Sequence, residues 1–395
     1  MPNSKYHCIG HGGCGSVWAL TSTPPNTPPS TPTNPLQIRH THRATLPTFS
    51  RNEVLKRADG DPARSLINDM TMHLRLLTTT SNTRLPFLIP QSHMILCANH
   101  PAYPPNFPAG IQPCQTYVQE RSPALPVAVR ETLVARYCPP KLQEQVRNSR
   151  RDEDCLVRVY CGKRRSAADA AKQKRFFSLR NYNLCVDQME ELGLEIDALV
   201  GVLAKALATC YFVAQIDAND CEFVFGLPRG VSDAAEEEKS VEPWRRENVR
   251  VFNMLRPNMA GKDDTMCENM TVWMLYFDCV RRISMDKRDL RQAAHAFWRN
   301  DPYFLRPWAH NHTLEDVKLW SVFVFEFLGE SGRILARQIE SDGRADAQSK
   351  YEKRVALAMW VRQVEAEGNR RRREARIRVW VDDVAENTED GGLAE

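Results

Sequence analysis

The chain has no C-x-x-C pair although it carries twelve cysteines, and these are scattered from Cys8 to Cys279. That spread excludes a disulfide scaffold, which needs densely paired half-cystines to hold a small core together. No stretch reaches about eighteen uninterrupted apolar residues, so neither a membrane-spanning helix nor a membrane partner is expected. The N-terminus, Met1 to Lys5, lacks the charged-then-apolar pattern of a secretory signal, and a reduced cytoplasmic or nuclear compartment is expected. Charge of one sign is missing too. The 53 Lys and Arg against 49 Asp and Glu leave only +4, too little to imply a surface that coats nucleic acid or adsorbs to a membrane. There is no internal repeat. What remains is an ordinary globular composition, 42% hydrophobic and 26% charged, over 395 residues, enough for one large domain or two average ones.

The 25 prolines concentrate early, in an insertion at 21–35 (TSTPPNTPPSTPTNP) whose composition fixes an extended, solvated backbone. Strand-like pieces flank it at Tyr6 to Gly10, Ser16 to Leu20 and Glu53 to Arg57, and further ones follow at Met94 to Cys97 and Gln115 to Glu120. From Asp187 the period becomes helical, with Met189, Leu192, Ile196, Leu199, Leu203 and Leu207 at three- and four-residue steps and an interruption near Gly193. Apolar strand-like runs follow at Phe223 to Phe225 and Val272 to Phe277, separated by an acidic loop at Asp233 to Glu242. Helical spacing then returns in Leu290 to Trp298, Leu314 to Leu328 and Tyr351 to Val364. This order predicts an α+β architecture: a β-rich part at 1–121, a mainly helical part at 122–335, and a basic helix with a disordered acidic tail at 336–395. In that tail, Lys350 to Trp380 hold ten bases against four acids, and Val381 to Glu395 hold six acids and no base. Arg370 to Arg373 is read as a solvated helix face, with an import or phosphate-binding patch as the alternative.

The most specific short motif is Gly10-His-Gly12-Gly-Cys-Gly15-Ser-Val17, which satisfies G-x-G-x-x-G-x-V. Glycines at these positions let two strands turn tightly and bring backbone N–H groups close to phosphate oxygens. A purely structural turn explains such a string equally well. Lys56, on the next predicted strand, would add an ammonium to neutralise phosphates. Zinc fingers need C-x₂₋₄-C paired with a second Cys or His pair. Cys8, Cys14, His11, His40 and His42, and Cys155 with Cys161, lack that spacing, so no structural zinc is expected. Lys163, Arg165, Lys172, Lys174, Arg175 and Arg180 lie near Phe176, Phe177 and Tyr182. They are read as a solvated loop with docked rings and not as a nucleic-acid surface. The Trp and Phe residues of Phe297 to Trp308 and Trp320 to Phe327 are read as core.

Taken in order, these features resemble the two-lobed protein-kinase-like fold, with a small β-rich N-lobe and a larger helical C-lobe. Gly10, Gly12, Gly15 and Val17 resemble its phosphate loop, and Lys56 its lysine on the following strand. Gln115 to Arg121, with Glu120, resembles the hinge that holds the adenine. Asp217 falls at the catalytic base, and Glu222 and Asp278 fall at the two metal-binding positions. The resemblance implies ATP with Mg²⁺ as cofactor. Departures from the pattern are Gln215 for the usual His, Glu222 for the usual Asn, Cys279-Val280 for Phe-Gly, and Asp69 where a helix Glu would pair with the lysine. Asp217 and Asp220 also have a plain reading as caps of the turn after the helix, and Asp278 as a satisfied strand-end carboxylate.

A narrower resemblance rests on FSLRNY (Phe177 to Tyr182), DQMEELGL (Asp187 to Leu194), IDANDCEFV (Ile216 to Val224) and FWRNDPY (Phe297 to Tyr303). In that order they are similar to a fungal domain of unknown function whose members carry the label "zinc finger protein". The expectation is a degenerate kinase-like cleft that binds a nucleotide or regulates through it, pseudokinase-like in preference to an active phosphotransferase. The alternatives are a non-catalytic protein-interaction module, nuclear if Arg370 to Arg373 acts as an import signal, and an active small-molecule or protein kinase.

Overall fold

The computed structural model describes residues 5–21, 49–101, 103, 107–166, 175–229, 250–254, 268–284, 287–308, 313–342 and 347–389. The insertion beyond Thr21, His40, His42, Lys172, Lys174 and the acidic loop at 233–242 lie outside the described residues.

β1 (Tyr6–Gly12), β2 (Gly15–Leu20), β3 (Glu53–Arg57), β4 (Ser92–Leu96) and β5 (Thr116–Glu120) form one antiparallel sheet in the order β1-β2-β3-β5-β4. The period of two in the sequence divides its side chains between faces. Tyr6, Trp18, Leu55, Leu96 and Val118 pack together, while Val17, Ala19 and Val54 gather elsewhere with Ile9. Helix α1 (Leu66–Thr80) begins at Ser65, whose side chain accepts from the Asn68 N–H, and it buries Leu66, Asp69, Met72, His73, Leu76 and Thr80 at helical spacing. It packs on β4 and β5.

The remaining helices are α2 (Val127–Tyr137), α3 (Pro140–Arg147), α4 (Arg150–Glu153), α5 (Val186–Glu191), α6 (Ile196–Thr209), α7 (Lys287–Arg299), α8 (Leu314–Asp342) and α9 (Ala347–Glu389). The helical period from Asp187 is split between α5 and α6 at Gly193, which takes φ +67°. The segment Ile196–Ala214 is long and apolar enough to cross a membrane. It is instead the core helix here, with Leu199, Leu203 and Leu207 buried against α8. A π-helical turn, Cys210–Ala214, ends it in a left-handed Gln215.

The structure is thus mixed α and β with two sheets, and the second sheet departs from the mainly helical expectation for 122–335. β6 (Val157–Tyr160), β7 (Asn183–Cys185), β8 (Glu222–Gly226), β9 (Val251–Met254) and β10 (Glu268–Leu275) run in the order β7-β6-β8-β10-β9, with β6 and β7 parallel. β8 and β10 are covered on both faces, so they read as short continuous apolar runs without the alternation that marks a half-exposed strand. The boundary drawn at 335/336 falls inside α8. α9 continues through Glu389, where an unstructured acidic tail was expected; no proline interrupts it. Within α9, Arg370 and Arg371 pair with Glu367, and the Arg371 guanidinium lies 4.9 Å from the Trp298 ring centroid.

The two sheets are joined by the segment before β4, where the Leu88 N–H donates to Val272 O (2.8 Å) and the Met274 N–H donates to Leu88 O (2.9 Å). These bonds bring the end of β10 against α1.

Candidate active site

β1 and β2 pair with Gly10 opposite Val17 and Gly12 opposite Gly15. Gly15 takes φ +140°, and a Cβ there would lie 2.2 Å from Arg57 O and 2.4 Å from Asp59 Oδ1, so only glycine fits. Asp59 holds the turn by accepting from Ser16 N (2.7 Å) and Ser16 Oγ (2.6 Å). Gly12 faces the Tyr276 ring with room for a methyl group, its nearest approach being 3.5 Å.

Beneath the hairpin, pairing of β3 with β2 sets Lys56 opposite Val17. Its ammonium donates to Asp69 Oδ2 at 2.5 Å, both side chains are 2% exposed, and the Tyr276 ring centroid lies 4.1 Å away. The second Asp69 oxygen accepts from the Phe277 N–H (2.9 Å). Burial works against the Lys56 charge, but Asp69, Tyr276 and Asp278 outweigh it and hold its pKa above the usual lysine value. The resemblance sets Asp69 where a glutamate, one methylene longer, would pair with the lysine, and here Asp69 is paired with Lys56.

Asp278 follows β10, with 4% of its side chain exposed. Burial raises its pKa, and Lys56 and Arg64 pull it below the ordinary carboxylate value on balance. Arg64 was not anticipated. From just before the α1 cap, its Nη1 donates to Asp278 Oδ2 (2.8 Å), to Asp220 Oδ2 (2.5 Å) and to Cys279 Sγ (2.5 Å). The Arg64 Nε stands 3.0 Å from where a Cβ on Gly13 would lie, so the guanidinium sits directly under the hairpin tip. From α1, Asn68 Nδ2 donates to the Asp278 (2.8 Å) and Val280 (3.0 Å) carbonyls and fixes the backbone beyond β10.

Asp217 lies on the loop between the π-turn and β8, 3% exposed. Its Oδ1 accepts from the N–H groups of Asn219 (3.1 Å) and Arg281 (2.9 Å), and its Oδ2 accepts from Gln292 Nε2 (2.8 Å). Glu222 pairs with Arg158 at 2.5 Å on β8, and burial, opposed by Arg158, pushes its carboxyl up to about 7. The carboxylate that stands beside Asp278 is that of Asp220. Asn300, from the FWRNDPY string, holds this loop: its Oδ1 accepts from the Asp220 N–H (2.5 Å) and its Nδ2 donates to Ala218 O (2.9 Å). Two further strings also meet, since Gln188 Nε2 donates to the Tyr182 hydroxyl at 2.5 Å.

A cavity of about 80 Å³ opens between the sheets, with Ile9, Val17, Val54 and Leu275 as apolar walls. Gly10, Lys56 and Glu120 also border it, whereas Gly12, Gly15, Asp217, Glu222 and Asp278 do not. Glu120 is clasped by the guanidinium of Arg229 at 2.6 and 2.9 Å. Arg121 and His7 both reach Asp154 at the same mouth. Arg180 lines the cavity as well, and its buried Nη2 has no hydrogen-bond partner among the described residues. Among the described residues, six non-glycine residues take positive φ, and five of them, Asn181, Gln215, Ala218, Asp220 and Tyr276, belong to the cavity wall or the Asp217 loop. Such conformations cost about 1–3 kcal/mol each and concentrate where a site over-determines its backbone.

Residues 272–339, from β10 into α8, match a family of unknown function described as "Zinc finger protein". No curated protein and no solved structure matches the chain. The two groups of closely set metal-ligating side chains among the described residues are Cys14, Asp69 and Asp278, and Asp220, Asp278 and Cys279. Each offers two carboxylates and one thiol, unlike the Cys and His sets that hold a structural zinc.

Proposed function

We propose that this chain is a two-lobed, protein-kinase-like protein whose cleft binds an adenine nucleotide without efficient phosphoryl transfer. The observation that carries the reading is the buried Lys56–Asp69 pair, set under a glycine hairpin and next to Asp278. Lys56 on β3, Asp69 on the following helix and Asp278 far along the chain bring an ammonium, its paired acid and a second carboxylate together, which supports the reading because phosphoryl-transfer sites use such groups. The strand order β1-β2-β3-β5-β4, with the cavity bounded by β1, β2, β3 and the residues after β5, adds to this support. The apolar walls Ile9, Val17, Val54 and Leu275 suit a planar base, and Arg180 offers a donor not yet used.

Turnover is disfavoured by the engagement of Asp217. A general base must reach the proton it abstracts, and both carboxylate oxygens of Asp217 already accept from protein groups. A divalent cation does not fit the residues as they stand, because Arg64 occupies the gap between Asp220 and Asp278. The cavity is also smaller than the roughly 300–1,000 Å³ of most ligand pockets, so a bound nucleoside requires the cleft to widen.

The test is thermal unfolding of the full chain with adenine nucleotides. A ligand that binds only the folded state raises the melting temperature by mass action. A dose-dependent rise is expected, abolished by Val54→Trp, which fills the cavity. The absence of any rise at millimolar adenosine, AMP, ADP and ATP refutes the reading.

A further inference from the structure

We infer that the Arg64 guanidinium takes the place of the divalent cation in this cleft, so that nucleotide recognition is independent of metal and rests on base and sugar more than on phosphate. The inference depends on the nucleotide-binding reading above and specifies which form of ligand the cleft takes.

Three observations support it. Arg64 Nη1 lies 2.5 Å from Asp220 Oδ2 and 2.8 Å from Asp278 Oδ2, and these are the oxygens a cation between the two loops would need. Mg²⁺ demands near-octahedral oxygen coordination and retains several waters, and a guanidinium already seated between those oxygens competes with it for the same space and the same charge. The third group at this point is Cys279 Sγ, a soft ligand poorly matched to Mg²⁺. The segment that carries Arg64 is also tied to the hairpin tip: the backbone N–H of Arg64 donates to Asp61 O (3.0 Å), and the Asp61 N–H donates to Gly13 O (2.9 Å).

The charges then set the ligand. At this end of the cleft Lys56 and Arg64 face Asp69, Asp220 and Asp278, two cations against three carboxylates. A triphosphate without metal would bring several negative charges to a site already one charge negative, so added phosphates gain nothing. The other end has apolar walls and the unsatisfied Arg180 donor, which suit a nucleoside.

The experiment compares adenosine, AMP and ATP by calorimetry on the full chain, each in EDTA and in Mg²⁺, together with Mn²⁺ binding followed by electron paramagnetic resonance for wild type and Arg64→Gln. For wild type, the affinity for each compound in EDTA and in Mg²⁺ should agree within a factor of about two, ATP should bind no tighter than adenosine, and Mn²⁺ should not bind. Arg64→Gln should gain Mn²⁺ binding and a Mg²⁺-dependent increase in ATP affinity of more than about tenfold. Arg64→Lys should behave as wild type. ATP binding by wild type only with Mg²⁺ overturns the inference and leaves the nucleotide reading intact. So does an Arg64→Gln protein that binds adenosine, and is therefore folded, yet gains no Mn²⁺. If no adenine compound binds wild type, the nucleotide reading falls, and the inference about its ligand falls with it.

Discussion

Around the second sheet most of the interior is one large apolar cluster, running from Val157 on β6 through Leu203 on α6 to Trp360 on α9, with a small second cluster of Leu88, Val224 and Trp273 beside it. The first sheet divides its interior among small clusters and buries Lys56, Arg57 and Asp69 among them. Arg57 is satisfied by Asp59 (3.0 Å), the Tyr103 hydroxyl (2.6 Å) and Gln112 O (2.5 Å), and it lies over the Phe107 ring. One region is held by area removed from water, the other by charges that are tolerable only while each keeps its partner. The charged interior faces the cleft, where a ligand can exploit fixed charges, and the apolar interior provides the rigid base on which they are mounted.

Breaking a partner should therefore have its largest effect on the first sheet. Asp69→Ala leaves a buried ammonium unpaired and is expected to cost about 3–5 kcal/mol in urea unfolding. Adding Lys56→Met should recover part of that loss, because no buried charge is then left unpaired, although the Phe277 N–H still lacks its acceptor. In the second region, Leu203→Ala should cost about 2–5 kcal/mol by opening a cavity in α6. No further apolar deletion should recover it. If Asp69→Ala is not rescued while Leu203→Ala is, the contrast between the two interiors is wrong.

A smaller effect sharpens the account of the hairpin. Gly15→Ala should cost about 1–3 kcal/mol, since the added methyl group meets the Arg57 and Asp59 backbone at a positive φ. Gly12→Ala, whose added methyl group would meet the Tyr276 ring at an ordinary van der Waals distance of 3.5 Å, should stay within about 0.5 kcal/mol of wild type. Thermal melts of the two variants separate a constrained turn from a merely glycine-rich one.

The smallest effect concerns His73 on α1, between the Tyr117 hydroxyl and the Pro90 carbonyl, each at 2.7 Å. A carbonyl only accepts, so Nε2 carries the proton and Nδ1 accepts from Tyr117. Burial, opposed in part by Asp69, pushes the His73 pKa down to about 4. The unfolded chain then binds the proton first, so the stabilisation is full above the unfolded value of about 6.5 and is lost as pH falls toward 4. Wild type should lose about 1 kcal/mol more than His73→Gln between about pH 6.5 and pH 5.5 in parallel urea titrations. Equal losses in the two proteins would mean that folding does not lower the pKa of the His73 ring.

Much of the first sheet was legible in the sequence because its strands alternate: Val17 and Ala19 point one way and Trp18 the other. Helix α1 was not read as a helix, since Thr78, Thr79 and Thr80 crowd its last turn and favour other conformations in isolation. Strand β6 was missed because it is four residues long and is recognisable only by the partners that flank it. Of the candidate site, the hairpin, Lys56 and Asp278 were visible as spaced motifs. Asp217 was visible as a residue, but its engagement with Gln292, 75 positions away, was not. A sharper signal was present in FWRNDPY, whose Asn300 turned out to brace the Asp217 loop.

The sequence by itself determined what depends on neighbours along the chain: the periods of strands and helices, the glycine that only a Cβ-free residue can satisfy, the absence of paired cysteines and the near-balance of charge. Tertiary structure decided what depends on neighbours in space. Arg64 and Asp278 are 214 residues apart, and only the docking of α1 against the end of β10 brings that guanidinium between two carboxylates. Periodicity carries no information about such a meeting, because it reports which face of an element is buried and not which charge waits on the other side.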